Sequence, residues 1–311
     1  MALISVIVPN YNHAQFLERR FDSIFNQTFK DFEVIVLDDA STDESRNIIE
    51  KYRMHPQVKA VLYNDRNSGS PMVQWQKGIS AATSDWIYIA ESDDTCDLRL
   101  FECLVPAFQQ PNIVLTLTEV QYINGKDEIV LRFPPLGEGQ WKGSDFVNRY
   151  MLYNCYLCNS GMAIFRKCAA PMLGQWQQQL PYSPDYYFWI RLMFQGNIYN
   201  NGQIMANFRK HPKEFTHGKW GSIAEHLDHA NMLRLLFKEN LLSLDAISSI
   251  IQYKLIGLAT QQKGMDKNEY EDYVGVWNSL AQDCEVRISH SKVYLLAFIR
   301  KLKHKFGFKY K

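Results

Sequence analysis

Residues 33–44 read EVIVLDDASTDE, a β-branched apolar run that stops on two aspartates and passes into small polar residues. A strand with one wet face would alternate, so an unbroken Val/Ile/Leu run describes a strand buried on both faces. Ser41-x-x-Glu44 has capping-box spacing and places a helix carrying Ile48, Ile49 and Tyr52 directly after the acidic loop. The order strand, acidic loop, helix belongs to an open α/β sheet.

The same alternation extends outward. Leu3–Val8 (LISVIV) is a strand followed by the loop Pro9-Asn10-Tyr11-Asn12, and Leu17, Phe21, Ile24 and Phe25 then repeat at helical spacing. Val58–Tyr63 is a third strand, Asn67-Ser68-Gly69-Ser70 a turn and residues 71–82 a helix. Trp86–Ala90 is a fourth strand, ending at Glu91-Ser92-Asp93-Asp94. Right-handed βαβ units follow, giving a Rossmann-like, mostly parallel sheet flanked by helices. Ile113–Ile123 is a further strand, and 125–143 is rich in Gly and Pro. From Ser222 on, helices are expected near 222–239, 243–262 and 267–283. The segment 217–221 (His-Gly-Lys-Trp-Gly) divides an α/β domain, residues 1–218, from a helical C-terminal appendage, residues 219–311, with a basic amphipathic tail.

With 311 residues and 46% hydrophobic content the chain can bury a sizeable core. No apolar run approaches the roughly 20 residues of a bilayer-spanning helix, and no signal peptide is legible before the first strand. The cytoplasm is the default location. Six cysteines at irregular spacing read as free thiols, with Cys155-x-x-Cys158 as core packing rather than a zinc or redox pair. Net charge is only +1, yet residues 287–311 hold eight Lys or Arg and no acid, so the rest of the chain is net acidic. One localised anionic partner fits this pattern, whereas a general nucleic-acid surface does not.

In open α/β sheets ligands bind beyond the carboxyl ends of the strands, where Asp38-Asp39 and Asp93-Asp94 both fall. Four carboxylates on one rim repel unless a cation or hydrogen-bond donors compensate. Hard oxygen ligands of this kind suit Mg²⁺ or Mn²⁺, which also bridge diphosphate oxygens. Asp43 and Asp97 read as helix caps instead, since a cap needs a single carboxylate.

In order and spacing, Ser5–Asn12 (SVIVPNYN), Val36–Asp43 (VLDDASTD) and Trp86–Asp94 (WIYIAESDD) resemble the inverting glycosyltransferases of family two, of the bacterial polysaccharide type. The resemblance covers roughly residues 3–215 and implies the GT-A fold. It also implies transfer of a sugar from a nucleotide-diphosphate donor, commonly a UDP-sugar, to a glycan or lipid-linked acceptor. Pro9, Tyr11, Asp38 and Asp39 would hold the base and ribose, and Asn67 with Gly69 would shape the donor pocket. Asp93 and Asp94 stand where the family's Asp-x-Asp motif binds ribose and metal, with Asp94 taken as the direct ligand. Glu91 stands where many relatives have the first Asp. Trp75, Gln76 and Lys77 receive no role.

Pro181–Arg191 (PYSPDYYFWIR) resembles the segment carrying the catalytic base, and Asp185 takes its position, although Pro184 replaces the usual acid before it. Pro184 equally suits the first position of a helix, which gives Asp185 a structural role at the helix start as its competitor. Tyr182, Tyr186, Tyr187 and Trp189 lie around it, suited to stacking on sugar or to a core. Arg209-Lys210-His211 and Thr216-His217 resemble the late basic segment near the diphosphate. Arg209 and His211 are read as donor contacts, and His217 as a metal ligand. A sugar nucleotidyltransferase and a non-catalytic nucleotide-sugar-binding relative are the rival readings. The first normally has a Gly-rich basic phosphate loop, which Pro9–His13 is not; Glu91 and Pro184 favour the second. The tail from residue 287 could lie on an anionic membrane surface, which would make the protein peripheral at the inner face of the membrane.

Overall fold

Burial along the whole length of two strands, Ile4–Asn10 (β1) and Phe32–Asp38 (β2), sets the architecture, because a strand without a wet face requires helices on both sides. The computed structural model describes residues 2–153, 155–172, 176, 179–211 and 221–305. Ala14–Phe25 (α1) and Ser45–Tyr52 (α2) follow the two strands, then Val58–Tyr63 (β3), Pro71–Ala81 (α3) and Trp86–Ile89 (β4). Beyond them come Thr95–Cys96 (β5), Leu100–Leu104 (α4), Ile113–Ile123 (β6), Ile129–Arg132 (β7), Glu138–Lys142 (β8) and Gly143–Phe146 (α5). Ala163–Arg166 (β9), Pro184–Met193 (α6) and Asn197–Arg209 (β10) complete the α/β part. The C-terminal helices are Ile223–Lys238 (α7), Leu244–Gln261 (α8), Lys267–Asp283 (α9) and His290–Lys305 (α10).

The sheet runs β3-β2-β1-β4-β9-β6-β10-β5, with β7 on β6 and β8 on β10. The first four strands are parallel as expected, but β9 runs antiparallel to both β4 and β6. The sheet is therefore mixed. The loops from residue 90 onward are long enough to reverse the chain, so strict βαβ alternation ends at β4. One face packs Val6, Val8 and Val34 against Leu17, Phe21 and Ile24 of α1. On the other face α3 comes so close to β1 that a Cβ on Gly78 would collide with the Ile7 side chain, so glycine there sets the helix–sheet distance.

The register carries the acids to one end. Asn10 pairs with Asp38 and Ile7 with Ile89, so the loops after β1, β2 and β4 leave the sheet side by side. One local expectation fails here. Ser41 does not cap α2; its Oγ instead accepts from Asn10 Nδ2 at 3.1 Å and from the Asn12 amide at 2.9 Å. Asp43 does the capping, accepting from the Ser45 amide at 3.0 Å and from the Ala14 amide of α1 at 2.9 Å. One carboxylate thus serves two helix starts.

The chain divides into two compact units: Met1–Met151, Cys155–Trp176 and Asp185–Phe215 form one, and Leu152–Asn154, Gln177–Pro184 and Thr216–Lys311 the other. The helical unit thus also draws on two short segments from before residue 218, and residues 217–220 lie outside the described residues. Within it, Ser222, Ser243 and Asp266 accept from the first amides of α7, α8 and α9, as side-chain caps should. Trp277, Leu280, Ile247 and Leu236 are buried among them. Among the described residues no helix is long and apolar enough to cross a membrane. Cys155 and Cys158 are free thiols, the latter with its ionisation pushed up by burial.

Candidate active site

The loops after β1 and β2 are sewn together. Asn12 Oδ1 accepts from the Thr42 amide at 2.8 Å, and both Asn12 (φ 56°) and Ala40 (φ 59°) take the left-handed conformation. For alanine that backbone costs about 1–2 kcal/mol and persists only where the surroundings impose it. It turns Asp38 and Asp39 in different directions. Asp38 is buried and accepts from Asn10 Nδ2 at 2.9 Å and from the Ser41 amide at 3.1 Å, with Arg46 Nε at 3.4 Å. Asp39 accepts from Asn64 Nδ2 at 2.5 Å, the Ser68 hydroxyl at 2.7 Å and Gln74 Nε2 at 2.8 Å. Asn67 ties its turn to the same place, donating to the Asp39 carbonyl at 3.2 Å while its own Oδ1 accepts from the Gly69 amide at 2.8 Å. Pro9 lies buried within β1, and Tyr11 is 44% exposed on the loop above it. Two buried acceptors in this region, Asn10 Oδ1 and Gln74 Oε1, have no donor among the described residues.

The loop after β4 separates its two aspartates. Asp93 Oδ2 lies 3.0 Å from His211 Nε2, and Asp93 Oδ1 lies 4.0 Å from His13 Nδ1. The two imidazoles meet edge to face at 5.7 Å, and Phe16 packs against both. His13, Asp93 and His211 form the metal-capable group found among the described residues, with ligand atoms all within 4.8 Å of one another. Asp94, expected as the direct ligand, is not part of it. Its oxygens are taken by the Arg209 amide at 2.8 Å and Asn159 Nδ2 at 2.6 Å. The two aspartates lie on a turn closed by the Asp94 amide donating to the Glu91 carbonyl at 3.2 Å, and in it Asp93, not Asp94, faces the histidines.

Arg209, expected at the diphosphate, is also spent on the fold. Its fully buried guanidinium donates to the carbonyls of Asp93 at 2.6 Å and Asn124 at 2.7 Å, pairs with Asp127 at 2.5 Å and lies over Phe16. It acts as a clamp that holds the backbone of the Asp93 loop. His217 lies outside the described residues.

The electrostatics reflect crowding of like charge. Burial, reinforced by the Asp93 carboxylate, pushes Glu91 up to about 8 and Asp94 up to about 7. Burial would raise Asp93 as well, but the His211 hydrogen bond and the two imidazoles outweigh it and hold Asp93 below the ordinary carboxylate range. Of the three acids Asp93 is thus the one held toward its charged form. Glu91 meanwhile accepts from Trp75 Nε1 at 2.9 Å, and the Trp75 ring packs against Phe188 and Trp189 of α6. That helix carries Asp185 in its first turn, half-buried. Tyr186, Tyr187 and Trp189 are buried and serve as core of the helix, while Tyr182 is exposed.

Sequence reasoning missed four contributors. His13 is the last residue before α1, and its place on the first loop at a strand end was the available signal. Arg20 is fully buried on the apolar stripe of α1, where a charge interrupts the hydrophobic pattern, and it donates to the Tyr88 hydroxyl at 3.3 Å. Its positive charge eases the crowding at Asp94 and Glu91. Trp75 and Asn159 carried no sequence signal, because their roles depend on partners that are distant in sequence.

Comparison with known proteins gives a family and a fold. The glycosyl transferase family 2 model matches residues 5–170. An uncharacterized glycosyltransferase of Nostoc sp. is 30% identical over 129 residues, 41% of this chain and 39% of that protein. The poly(ribitol-phosphate) beta-N-acetylglucosaminyltransferase TarP of Staphylococcus aureus is 34% identical over 108 residues, 33% of this chain and 32% of its own length. These matches span only about a third to two fifths of the curated relatives. The S. aureus TarS 1-349 structure in complex with UDP-GlcNAc superposes with a TM-score of 0.69 at 20% identity, covering 99% of this chain and 93% of that one. The chain therefore has the GT-A fold.

Proposed function

The chain belongs to glycosyl transferase family 2, and on that premise we propose that it transfers a sugar, with inversion, from a UDP-sugar donor to an acceptor hydroxyl during surface polysaccharide assembly. The observation that carries this reading is the meeting of four loops at one end of the sheet. Asp38 and Asp39 brace the loop after β2 there, and the His13, Asp93 and His211 group lies on the loops after β1, β4 and β10. The unpaired acceptors Asn10 Oδ1 and Gln74 Oε1 would take N–H or hydroxyl donors of the nucleoside. The likeness in fold to the S. aureus structure seen with UDP-GlcNAc supports a uridine donor.

Two imidazoles and one carboxylate suit Mn²⁺ better than Mg²⁺, which prefers oxygen ligands alone. A divalent cation held by these residues would supply charge neutralisation at the leaving diphosphate. Its positive charge would also relieve the repulsion that raises Glu91 and Asp94. Asp185 removes the acceptor proton as general base, a role worth roughly 10²–10⁴ in rate. Glu91, with one oxygen held by Trp75 Nε1, has its other oxygen to offer to a ribose hydroxyl.

A panel of nucleotide sugars assayed for slow donor hydrolysis, with Mn²⁺ and with chelator, tests the proposal. Metal-dependent turnover of one UDP-sugar is expected. Turnover unaffected by chelator would remove the cation from the reading, and no turnover with any donor would remove the transferase.

A further inference from the structure

Helix α10 has two faces of different character. Val293 and Ala297, one turn apart, are buried, and Lys301 continues that side by donating from Nζ to the Ala259 carbonyl of α8 at 2.9 Å. On the other side Tyr294, Leu295, Phe298 and Ile299 stand 50%, 58%, 59% and 38% exposed. Their spacing makes one continuous apolar stripe. A helix that only covered α8 would present polar residues there. The stretch of sequence that holds the stripe carries charge of a single sign, since residues 287–311 contain eight Lys or Arg and no Asp or Glu.

We propose that this face of α10 docks on an anionic lipid bilayer. Large apolar side chains between Lys and Arg are what lets a helix lie in the headgroup plane, with rings and methyls at the acyl boundary and ammonium groups among lipid phosphates. A second copy of the chain is a poorer occupant, because pairing two such faces would bring together two segments whose charges are all positive. The docking is independent of the sugar chemistry.

The test is sedimentation of the full chain with vesicles of phosphatidylcholine alone and of phosphatidylcholine mixed with phosphatidylglycerol. Binding is expected only to the mixed vesicles and should weaken as salt rises. The pair Leu295→Glu and Phe298→Glu should reduce it about tenfold or more without lowering the melting temperature. A second variant, Lys303→Gln with Lys305→Gln, keeps the apolar stripe and should lose the preference for anionic lipid. Equal partitioning on both vesicle types would overturn the proposal. So would a concentration-dependent oligomer in sedimentation equilibrium that Leu295→Glu and Phe298→Glu dissociate.

Discussion

The carboxyl end of the sheet and the C-terminal helices both bury ionisable groups, but the groups that burial perturbs are mostly acids in the first and mostly bases in the second. At the sheet end the perturbed groups are acids, with Glu91 pushed up to about 8 and Asp94 up to about 7 by burial and by Asp93. Between α7, α8 and α9 they are mostly bases: burial pushes His226 down to about 4, His229 well below its ordinary range, and Lys254 down too, while one acid, Asp228, is pushed up by burial. In both places burial resists charge. At the sheet end Asp93 runs against that trend, held toward its charged form by the imidazoles of His211 and His13. In the helices burial favours the neutral form of His226, whose Nδ1 accepts from Trp277 Nε1 at 3.0 Å. A carboxylate held toward its charged form between two imidazoles distinguishes the sheet end from the helical core.

The contrast is most exposed to failure at Asp185. Asp185→Asn should lower transfer by roughly 10²–10⁴, with UDP-sugar binding by calorimetry and the urea midpoint unchanged. Near-normal turnover in that variant would leave Asp185 with the structural role at the start of α6. A parallel loss of donor affinity would point to a residue of the pocket instead.

His226 tests the other side. Its folded pKa, about 4, lies below the ordinary 6.5, so the unfolded chain binds the proton first. Its stabilising contribution is therefore complete above about pH 6.5 and is lost as pH falls toward 4. After discounting for partial exposure the loss is about 1–2 kcal/mol. Glu91 has the opposite sign: its folded pKa is raised, so ionising it costs stability as pH rises from about 4.5 toward 8. Denaturation curves at pH 4.5 and 7 should show His226→Gln, which keeps an acceptor for Trp277, flattening the acid-side loss. An unchanged slope would mean that His226 does not titrate within the core.

The smallest effect is expected where the acid is only architectural. Asp43→Ala removes the cap from α1 and α2 together and should cost about 1 kcal/mol by urea denaturation, while Asp43→Asn should recover most of it. Donor turnover should change little in either variant. A large loss of turnover at unchanged stability would move Asp43 from the frame into the site.

Reading the sequence placed Asp38-Asp39 and Asp93-Asp94 at strand ends and bounded most of the helices, since apolar runs and caps act within a few residues of where they are written. It gave Asp94 to the metal and Arg209 to the diphosphate, where the folded chain has Asp94 bonded to Asn159 and the Arg209 amide and the Arg209 guanidinium clamping the Asp93 loop. Neighbours in a doublet carry the same chemistry and differ only in direction, which the turn after β4 sets. His13 and Arg20 escaped for a related reason, since each acquires its role from Asp93, Asp94 or Tyr88, about 70 to 80 residues further along the chain.

The alternation of apolar runs with acidic loops, a local pattern enforced by burial on both sheet faces, was enough to determine the α/β class and the end of the sheet that holds the acids. Which carboxylate is held toward its charged form, which histidines stand beside it and which arginine is buried beneath it were decided by tertiary structure. Those properties depend on distance and desolvation between segments far apart in sequence, and neither quantity exists until the chain has folded.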